Sequence, residues 1–162
     1  AAPLLRAAAA AWQAGLMADQ PWTFITGQHA PEGLHEALIA AAPRHLGAEF
    51  LHAAPDLPAR IARAKLSISR GGYNTVAETV AAGTPSVVVP FAPDGEPEQA
   101  IRARLFAGMG LLTHLPETGL NADSLAAAAR AALERPAPPP DAIRLDGAEQ
   151  SARRLAEIAG SS

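Results

Sequence analysis

Short apolar runs alternate with amphipathic stretches along most of the chain. Apolar runs bounded by glycine or proline predict strands, and apolar positions recurring every three or four residues predict helices. The predicted strands lie at 21–27, 48–52, 66–69, 86–90 and 111–115. The predicted helices lie at about 4–18, 31–42, 57–65, 74–82, 98–107 and 122–134. Because the strands are apolar on both faces, the pattern predicts an α/β fold with a Rossmann-like, doubly wound parallel sheet.

The two ends of the chain differ from this alternating middle. The sequence starts with Ala1-Ala2-Pro3 and an alanine-rich stretch, with no targeting signal and no helix cap before it. We interpret residues 1–162 as a single domain and as a fragment of a longer chain. A proline-rich segment at 136–141 predicts a stiff connector to a final amphipathic helix at 148–159.

One unit of strand, glycine turn and helix is a candidate ligand site. After the strand at 66–69 come Gly71 and Gly72, and Asn74-Thr75 begins the next helix. The first amides of a helix have no partner within it, and the helix dipole adds positive charge there, so this turn favours an anionic group such as a phosphate. Glycine lets the backbone approach a ligand closely, and the Thr75 hydroxyl can cap the helix or bond an incoming oxygen.

Glu78 lies one helical turn further along. Its carboxylate can accept hydrogen bonds from two vicinal hydroxyls, such as those of a ribose. An equally good interpretation is a capped turn in which Glu78 only complements the helix dipole. These residues alone leave both alternatives open.

A second polar segment is predicted at the same edge of the sheet, because the carboxyl ends of parallel strands lie together. The strand at 86–90 is followed by Phe91, and then by Glu98 and Gln99, which begin a helix. The Gln99 amide can donate and accept at once, as a sugar hydroxyl requires, and Glu98 can accept from two hydroxyls. Taken alone, Glu98 is better explained as a helix-start carboxylate that pairs with Arg102 on a solvated face.

Arg70 and two aromatic residues flank these segments. Arg70 is a candidate cation for an anionic ligand, and equally a structural arginine that pairs with a carboxylate of a neighbouring loop. Tyr73 and Phe91 can flank a ligand or simply pack against the fold. Three other aromatic residues are predicted in the core: Trp22, Phe24 and Phe50.

Composition excludes several classes of function. The chain has 162 residues, 49% of them hydrophobic, which suffices for one domain with a core. It has no cysteine for a disulfide or a thiolate nucleophile, and its five histidines are too scattered to suggest a metal site. A net charge of -3 with 4% aromatic residues provides no surface for nucleic acid. We expect a small metabolite as ligand, with no metal and no other cofactor.

Together, these segments form an ordered pattern. It runs Ser69-Arg70-Gly71-Gly72-x-x-Thr75-x-x-Glu78, then Ala82-Gly83-x-Pro85, Val89-Pro90 and Glu98-Gln99-x-x-x-Ala103. The pattern resembles the carboxy-terminal domain of family 28 glycosyltransferases of the GT-B fold, a family that includes the bacterial peptidoglycan N-acetylglucosaminyltransferase. The resemblance covers about residues 49–125.

The resemblance implies that this domain is one half of a GT-B fold and binds a nucleotide-sugar donor, usually a UDP-sugar. By motif position, Glu78 would bind the ribose hydroxyls, and the turn from Gly71 to Thr75 would face the diphosphate and the sugar. Glu98 and Gln99 would contact the donor sugar, and backbone near Leu51 would contact the base. The implied donor-binding residues are Leu51, Arg70, Gly71, Gly72, Tyr73, Asn74, Thr75, Glu78, Phe91, Glu98 and Gln99.

The full-length enzyme implied by the resemblance is a hexosyltransferase whose amino-terminal domain holds the acceptor. That domain, with the first strand and the glycine-rich loop of this one, would precede Ala1. The family's general base belongs to the amino-terminal domain, so we assign no catalytic residue here and expect this chain alone to be inactive. A missing strand would uncover backbone and apolar surface at its neighbours, so we expect self-association, for example as a homodimer.

The resemblance also sets expectations about location and about alternatives. We expect a cytoplasmic enzyme that contacts the inner face of the membrane only through the missing domain. The sequence departs from the family at Arg102, where asparagine is common, and in three extra residues between Phe50 and Arg70. Half of a nucleotide-sugar epimerase and a non-catalytic nucleotide-sugar-binding module remain as alternatives, because fold analogy alone cannot separate them.

Overall fold

The computed structural model describes residues 2–42, 47–91 and 98–136. The strands are β1 (Trp22–Ile25), β2 (Ala48–Leu51), β3 (Ser67–Ser69), β4 (Ser86–Val88) and β5 (Thr113–His114). The helices are α1 (Ala2–Gln13), α2 (Leu34–Ala41), α3 (Leu57–Arg63), α4 (Tyr73–Ala81), α5 (Glu98–Gly108) and α6 (Ala122–Glu134). A 3-10 helix spans Glu117–Gly119. The predicted helix at 148–159 and nearly all of the predicted connector at 136–141 lie outside the described residues.

All described strands pair in parallel, which confirms the predicted α/β class. They form two sheets instead of the one continuous sheet that was expected. Strand β1 pairs only with β2, from Trp22 opposite Ala48 to Ile25 opposite Leu51. The second sheet has the order β3-β4-β5, with β4 in the centre. No backbone ladder joins β1 to β3 among the described residues. The two sheets contact each other through the side chains of a shared core cluster.

The strand β4 and the residue after it bury both faces of the second sheet. Val87 and Val89 belong to one core cluster, together with Phe24 of β1. Val88 points to the opposite face and joins a second cluster with Val76 and other residues of α4, of α5 and of the segment just before β5. Since successive side chains of a strand alternate between faces, the three valines require helices on both sides. The doubly wound arrangement predicted for this sheet is therefore confirmed at its central strand.

Aromatic residues join α1 to the first sheet. Trp12 of α1 is almost fully buried, and its ring lies 6.0 Å from that of Trp22. The rings of Trp22 and Phe24 are 5.5 Å apart, and those of Phe24 and Phe50 are 5.3 Å apart, measured between centroids. Trp22, Phe24 and Phe50 are thus part of the core, as predicted, or packed against it.

Glycine ends several helices by adopting a left-handed conformation. At the end of α4, Gly83 has φ 68°, and the amides of Gly83 and Thr84 donate to the carbonyls of Val80 and Thr79. This is the Schellman arrangement, and it confirms Gly83 as the predicted end of the helix. The same arrangement at Gly15, with φ 102°, ends α1 at Gln13, so the prediction that this helix continues to residue 18 is wrong.

No helix within the described ranges is long and apolar enough to cross a membrane.

Candidate functional site

The glycine turn between β3 and α4 begins with a residue that the core requires to be glycine. Gly71 has φ 82°, a conformation that side chains other than glycine rarely adopt. A Cβ atom at Gly71 would also lie 2.6 Å from Cγ1 of Val88 in β4. The sequence suggested that Gly71 leaves room for a ligand, but the structure gives a packing reason instead.

Gly72 differs from Gly71 in both respects. Its φ is -56° and ψ is 144°, which other residues adopt freely, and a Cβ there would meet no atom within 4 Å. The space around Gly72 is open, and Tyr73 and Asn74 beside it are exposed. Gly72 is therefore the glycine of the pair that a ligand can approach.

The start of α4 has no side-chain cap. Gly72 is the N-cap residue, and its carbonyl accepts the first helical hydrogen bond, from the amide of Val76 at 3.0 Å. Thr75 lies within the first turn and does not cap the helix, so that part of the prediction is wrong. The uncapped first turn leaves amide donors and the positive end of the helix dipole available to an anionic group.

Arg70 connects the end of β3 to two other segments. Its Nη2 atom donates to Oε1 of Glu117 at 2.6 Å, and its guanidinium carbon lies 5.3 Å from the centre of the Phe91 ring. Arg70 is thus paired with a loop carboxylate, as one of the two interpretations predicted. Its Nε and Nη1 atoms are nevertheless buried and have no hydrogen-bond partner among the described residues. The guanidinium therefore keeps unused donors for a ligand.

Glu117 is a residue that sequence reasoning missed. It lies 47 residues from Arg70, so no local pattern joins the two. Strand order does provide a signal, because β3 and β5 flank β4 and their carboxyl ends lie at one edge. Glu117 follows β5 by three residues and Arg70 follows β3 directly.

Tyr73 links the start of α4 to α5. Its side chain is 66% exposed, and the guanidinium carbon of Arg102 lies 5.1 Å from the centre of its ring. Arg102 was expected to pair with Glu98 if that carboxylate had no ligand role. Its guanidinium lies over an aromatic ring beside the candidate site. The Glu98 side chain lies outside the described part of the structure, so the pairing with Arg102 stays a prediction.

Two candidate side chains retain unused hydrogen-bond acceptors. Glu78 lies partly buried in the second turn of α4, and its carboxylate has no hydrogen bond or ion pair among the described residues. Gln99 lies in the first turn of α5, and its Oε1 atom is buried without a partner in the same part of the chain. Glu98 begins α5, as predicted. An unpartnered buried acceptor such as Gln99 Oε1 is uncommon in folded proteins and is consistent with a hydroxyl-bearing ligand.

Leu51 ends β2 in the other sheet, and its carbonyl is already occupied. The oxygen accepts from the Thr26 amide at 3.0 Å and from the Thr26 hydroxyl at 3.3 Å. A carbonyl oxygen has two lone pairs, so little capacity is left to contact a base. The next residue, His52, stacks on His35 with 4.0 Å between ring centroids, a contact that the sequence did not predict.

Among the described residues there is no group of three metal-ligating side chains.

Comparisons with known proteins show what this arrangement is similar to. The family described as "Glycosyltransferase family 28 C-terminal domain" matches residues 10–156. A curated relative from Rhodospirillum centenum, UDP-N-acetylglucosamine–N-acetylmuramyl-(pentapeptide) pyrophosphoryl-undecaprenol N-acetylglucosamine transferase, is 40% identical over 105 residues, which are 63% of this chain and 28% of the relative.

Two solved structures share the fold. The glycotransferase of kitacinnamycin superposes with a TM-score of 0.62 at 22% identity, over 82% of this chain and 31% of that one. MurG of Acinetobacter baumannii superposes with a TM-score of 0.58 at 24% identity, over 84% of this chain and 44% of that one. The chain thus spans less than half the length of each of these three proteins.

Proposed function

Because the chain belongs to the glycosyltransferase family 28 C-terminal domains, we propose that it binds the nucleotide-sugar donor, a UDP-sugar, of a hexosyltransferase. The observation that supports this most strongly is the set of unused polar groups on the segments after β3 and β4. Arg70 offers buried donors, and Glu78 and Gln99 offer acceptors. A phosphorylated sugar requires both kinds of group.

Each segment has a proposed part in donor binding. The open turn from Gly72 to Thr75 binds the diphosphate with helix amides, and Arg70 adds charge-assisted hydrogen bonds. Glu78 accepts from the ribose hydroxyls, and Glu98 and Gln99 contact the sugar. The base lies beyond the end of β2, near Leu51, where groups other than the Leu51 carbonyl must contact it.

Transfer of the sugar then depends on how well the departing nucleoside diphosphate is stabilised. The uncapped start of α4 and the Arg70 guanidinium place positive charge where negative charge develops on the leaving group. We propose that these groups replace a metal ion in this role. The general base and the acceptor site belong to another domain, so we propose that this chain alone does not turn over the donor.

The family match supports transfer over epimerisation and over a purely sensory role. The Rhodospirillum centenum relative is named for a substrate that carries undecaprenol, a membrane lipid. By analogy, we propose a cytoplasmic enzyme that works beside a membrane, with a lipid-linked acceptor held outside this domain.

Calorimetry with UDP tests the proposed donor site. The parent chain should bind UDP more tightly than its 2′,3′-dideoxy analogue, because only UDP has both ribose hydroxyls. Glu78→Gln should lower the affinity for UDP by roughly ten- to a hundredfold, since it weakens two charge-assisted hydrogen bonds. Glu36→Gln is a matched control, because Glu36 is an exposed carboxylate near the start of α2, and this variant should bind as the parent does.

Equal binding of UDP by the parent and by Glu78→Gln would contradict the ribose assignment. Calorimetry of the parent chain with UDP-, dTDP- and GDP-sugars tests the function itself. If the parent binds none of these nucleotide sugars, the donor-binding function is contradicted.

A further inference from the structure

Glu117 reaches the candidate site through the end of the second sheet. The amide of Leu115 donates to the Val88 carbonyl at 3.0 Å, so pairing with β4 continues past the end of β5. Pro116 follows, and the 3-10 helix then presents Glu117 at the edge where β3 ends. The Glu117 carboxylate is 27% exposed and the Arg70 side chain is 18% exposed, so the pair is partly shielded from water.

Two contacts fix the orientation of the Arg70 guanidinium. The Phe91 ring faces it at 5.3 Å, and Glu117 accepts from Nη2 at 2.6 Å. Only one of the three guanidinium nitrogens is thereby used, while the buried Nε and Nη1 lack partners within the described ranges. A buried donor without an acceptor is unfavourable, and a guanidinium cannot lose its charge to relieve this. The arrangement is therefore suited to receiving an anionic oxygen.

We propose that Glu117 is a positioning residue, which holds Arg70 so that its unused Nε and Nη1 donors are directed to different oxygens of the bound diphosphate. This inference rests on the proposed donor-binding function. A free arginine side chain samples many rotamers, and ordering it on binding lowers affinity. Glu117 and Phe91 order the guanidinium before the ligand arrives.

A carboxylate beside an anion site also has an opposing effect. The negative charge of Glu117 repels a phosphate, so if Glu117 merely neutralised Arg70, its removal would strengthen binding. Positioning has the opposite consequence, because removal would release the guanidinium. Glu117→Ala and Glu117→Gln both remove the charge, but only glutamine keeps an oxygen that can accept from Nη2. The difference between these two variants isolates positioning from charge.

The test is to measure by calorimetry how tightly the full chain and its variants bind UDP, inorganic pyrophosphate and uridine. Glu117→Ala should bind UDP and pyrophosphate about two- to tenfold more weakly than Glu117→Gln, the factor expected for ordering one long side chain. Uridine lacks phosphate, so both variants should bind it equally. In an Arg70→Ala background the difference between the two Glu117 variants should disappear. Glu134→Ala, which removes an exposed carboxylate of α6, controls for net charge and should bind as the parent does.

Binding of UDP and pyrophosphate by Glu117→Ala as tight as by Glu117→Gln would overturn the proposal. An equal loss for uridine would also overturn it, because the phosphate would then not be involved. If Glu117→Ala does not fold, Glu117→Met, which has similar length and no strong acceptor, takes its place. If the parent binds pyrophosphate but not UDP, the proposed function fails, and the comparison of the two Glu117 variants with pyrophosphate still tests this inference. If the parent binds neither UDP nor pyrophosphate, both the proposed function and this inference are overturned.

Discussion

Replacing Gly71 with alanine should destabilise the fold itself. Alanine at φ 82° would adopt a left-handed conformation that costs about 1–2 kcal/mol. Its Cβ would also lie 2.6 Å from Cγ1 of Val88, a buried residue of the central strand, and overpacking of this kind costs about 1–3 kcal/mol. Together, the two effects should lower the free energy of unfolding by about 2–5 kcal/mol.

Gly72→Ala is the matched control one residue away. Its φ of -56° suits alanine and no atom lies within 4 Å of the added Cβ, so the strain and the clash are both absent. Alanine at a compatible position restricts the unfolded chain, which raises stability by up to about 1 kcal/mol, but alanine is a poorer N-cap residue than glycine and this costs about as much, so stability should change by less than about 1 kcal/mol. If a phosphate approaches Gly72, this variant should bind UDP more weakly while it unfolds as the parent does.

Urea denaturation followed by circular dichroism measures these differences, and thermal melting provides a second reading. For a domain of this size, 1 kcal/mol corresponds to roughly 2–4 °C, so Gly71→Ala should melt at least about 4 °C below the parent. Val88→Ala separates the two causes, because it removes the clashing Cγ1 but leaves the left-handed backbone. Its cost should be at least about 1 kcal/mol smaller in the Gly71→Ala background than in the parent.

Two results would refute this reasoning. Equal stability of Gly71→Ala and Gly72→Ala would show that neither the backbone conformation nor the contact matters. The same cost for Val88→Ala in both backgrounds would show that the Cβ of residue 71 does not meet Val88.

Two further predictions concern stability elsewhere in the fold. Burial, with a smaller effect of Arg104, lowers the pKa of His114 below its ordinary value of 6.5. As the pH falls, His114 is therefore protonated in the unfolded chain before it is protonated in the folded one, so stability should fall below pH 6.5 and level off below the folded-state pKa. His114→Gln should weaken this pH dependence in thermal melts from pH 7 to 5. An unchanged dependence of the melting temperature on pH would contradict the prediction. The Asn121 side chain accepts from the Ser124 amide at 2.9 Å in a capping box at the start of α6. Asn121→Ala should therefore cost about 1 kcal/mol in urea denaturation, Asn121→Asp should retain most of the stability, and equal stability of all three would contradict the cap.

The sequence predicts the elements of this fold well, because apolar periodicity reports burial directly. The run from Ser86 to Pro90 predicted a strand buried on both faces, and its valines do lie in two clusters. The separation of β1 from β3 was not predictable, since strand pairing depends on tertiary contacts that no local pattern records. The early end of α1 was missed because apolar residues continue past Gln13 to Ala18, although Gly15 is a helix-end signal in the sequence.

The sequence identified most of the residues proposed for the candidate site, but it missed Glu117 and the contacts between the residues. Arg70, Tyr73 and Phe91 were identified from their places after strands, and the structure adds a contact between Arg70 and Phe91 that was not predicted. The different roles of Gly71 and Gly72 could not be predicted from the sequence, because the atom that excludes a side chain at Gly71 belongs to Val88 on a neighbouring strand.

Two arginine–aromatic contacts lie beside the start of α4. Arg70 precedes the turn and lies against Phe91, while Arg102 lies against Tyr73 in the first turn. In both contacts the aromatic ring holds a guanidinium without neutralising it. Glu117 pairs with Arg70 and offsets its charge, and the uncapped start of α4 adds the positive end of the helix dipole. Arg102 stands where the resembling family often has asparagine, and its guanidinium lies over the Tyr73 ring beside the turn. The preference of this turn for an anion therefore rests on the dipole of the uncapped helix and on the unused donors of Arg70.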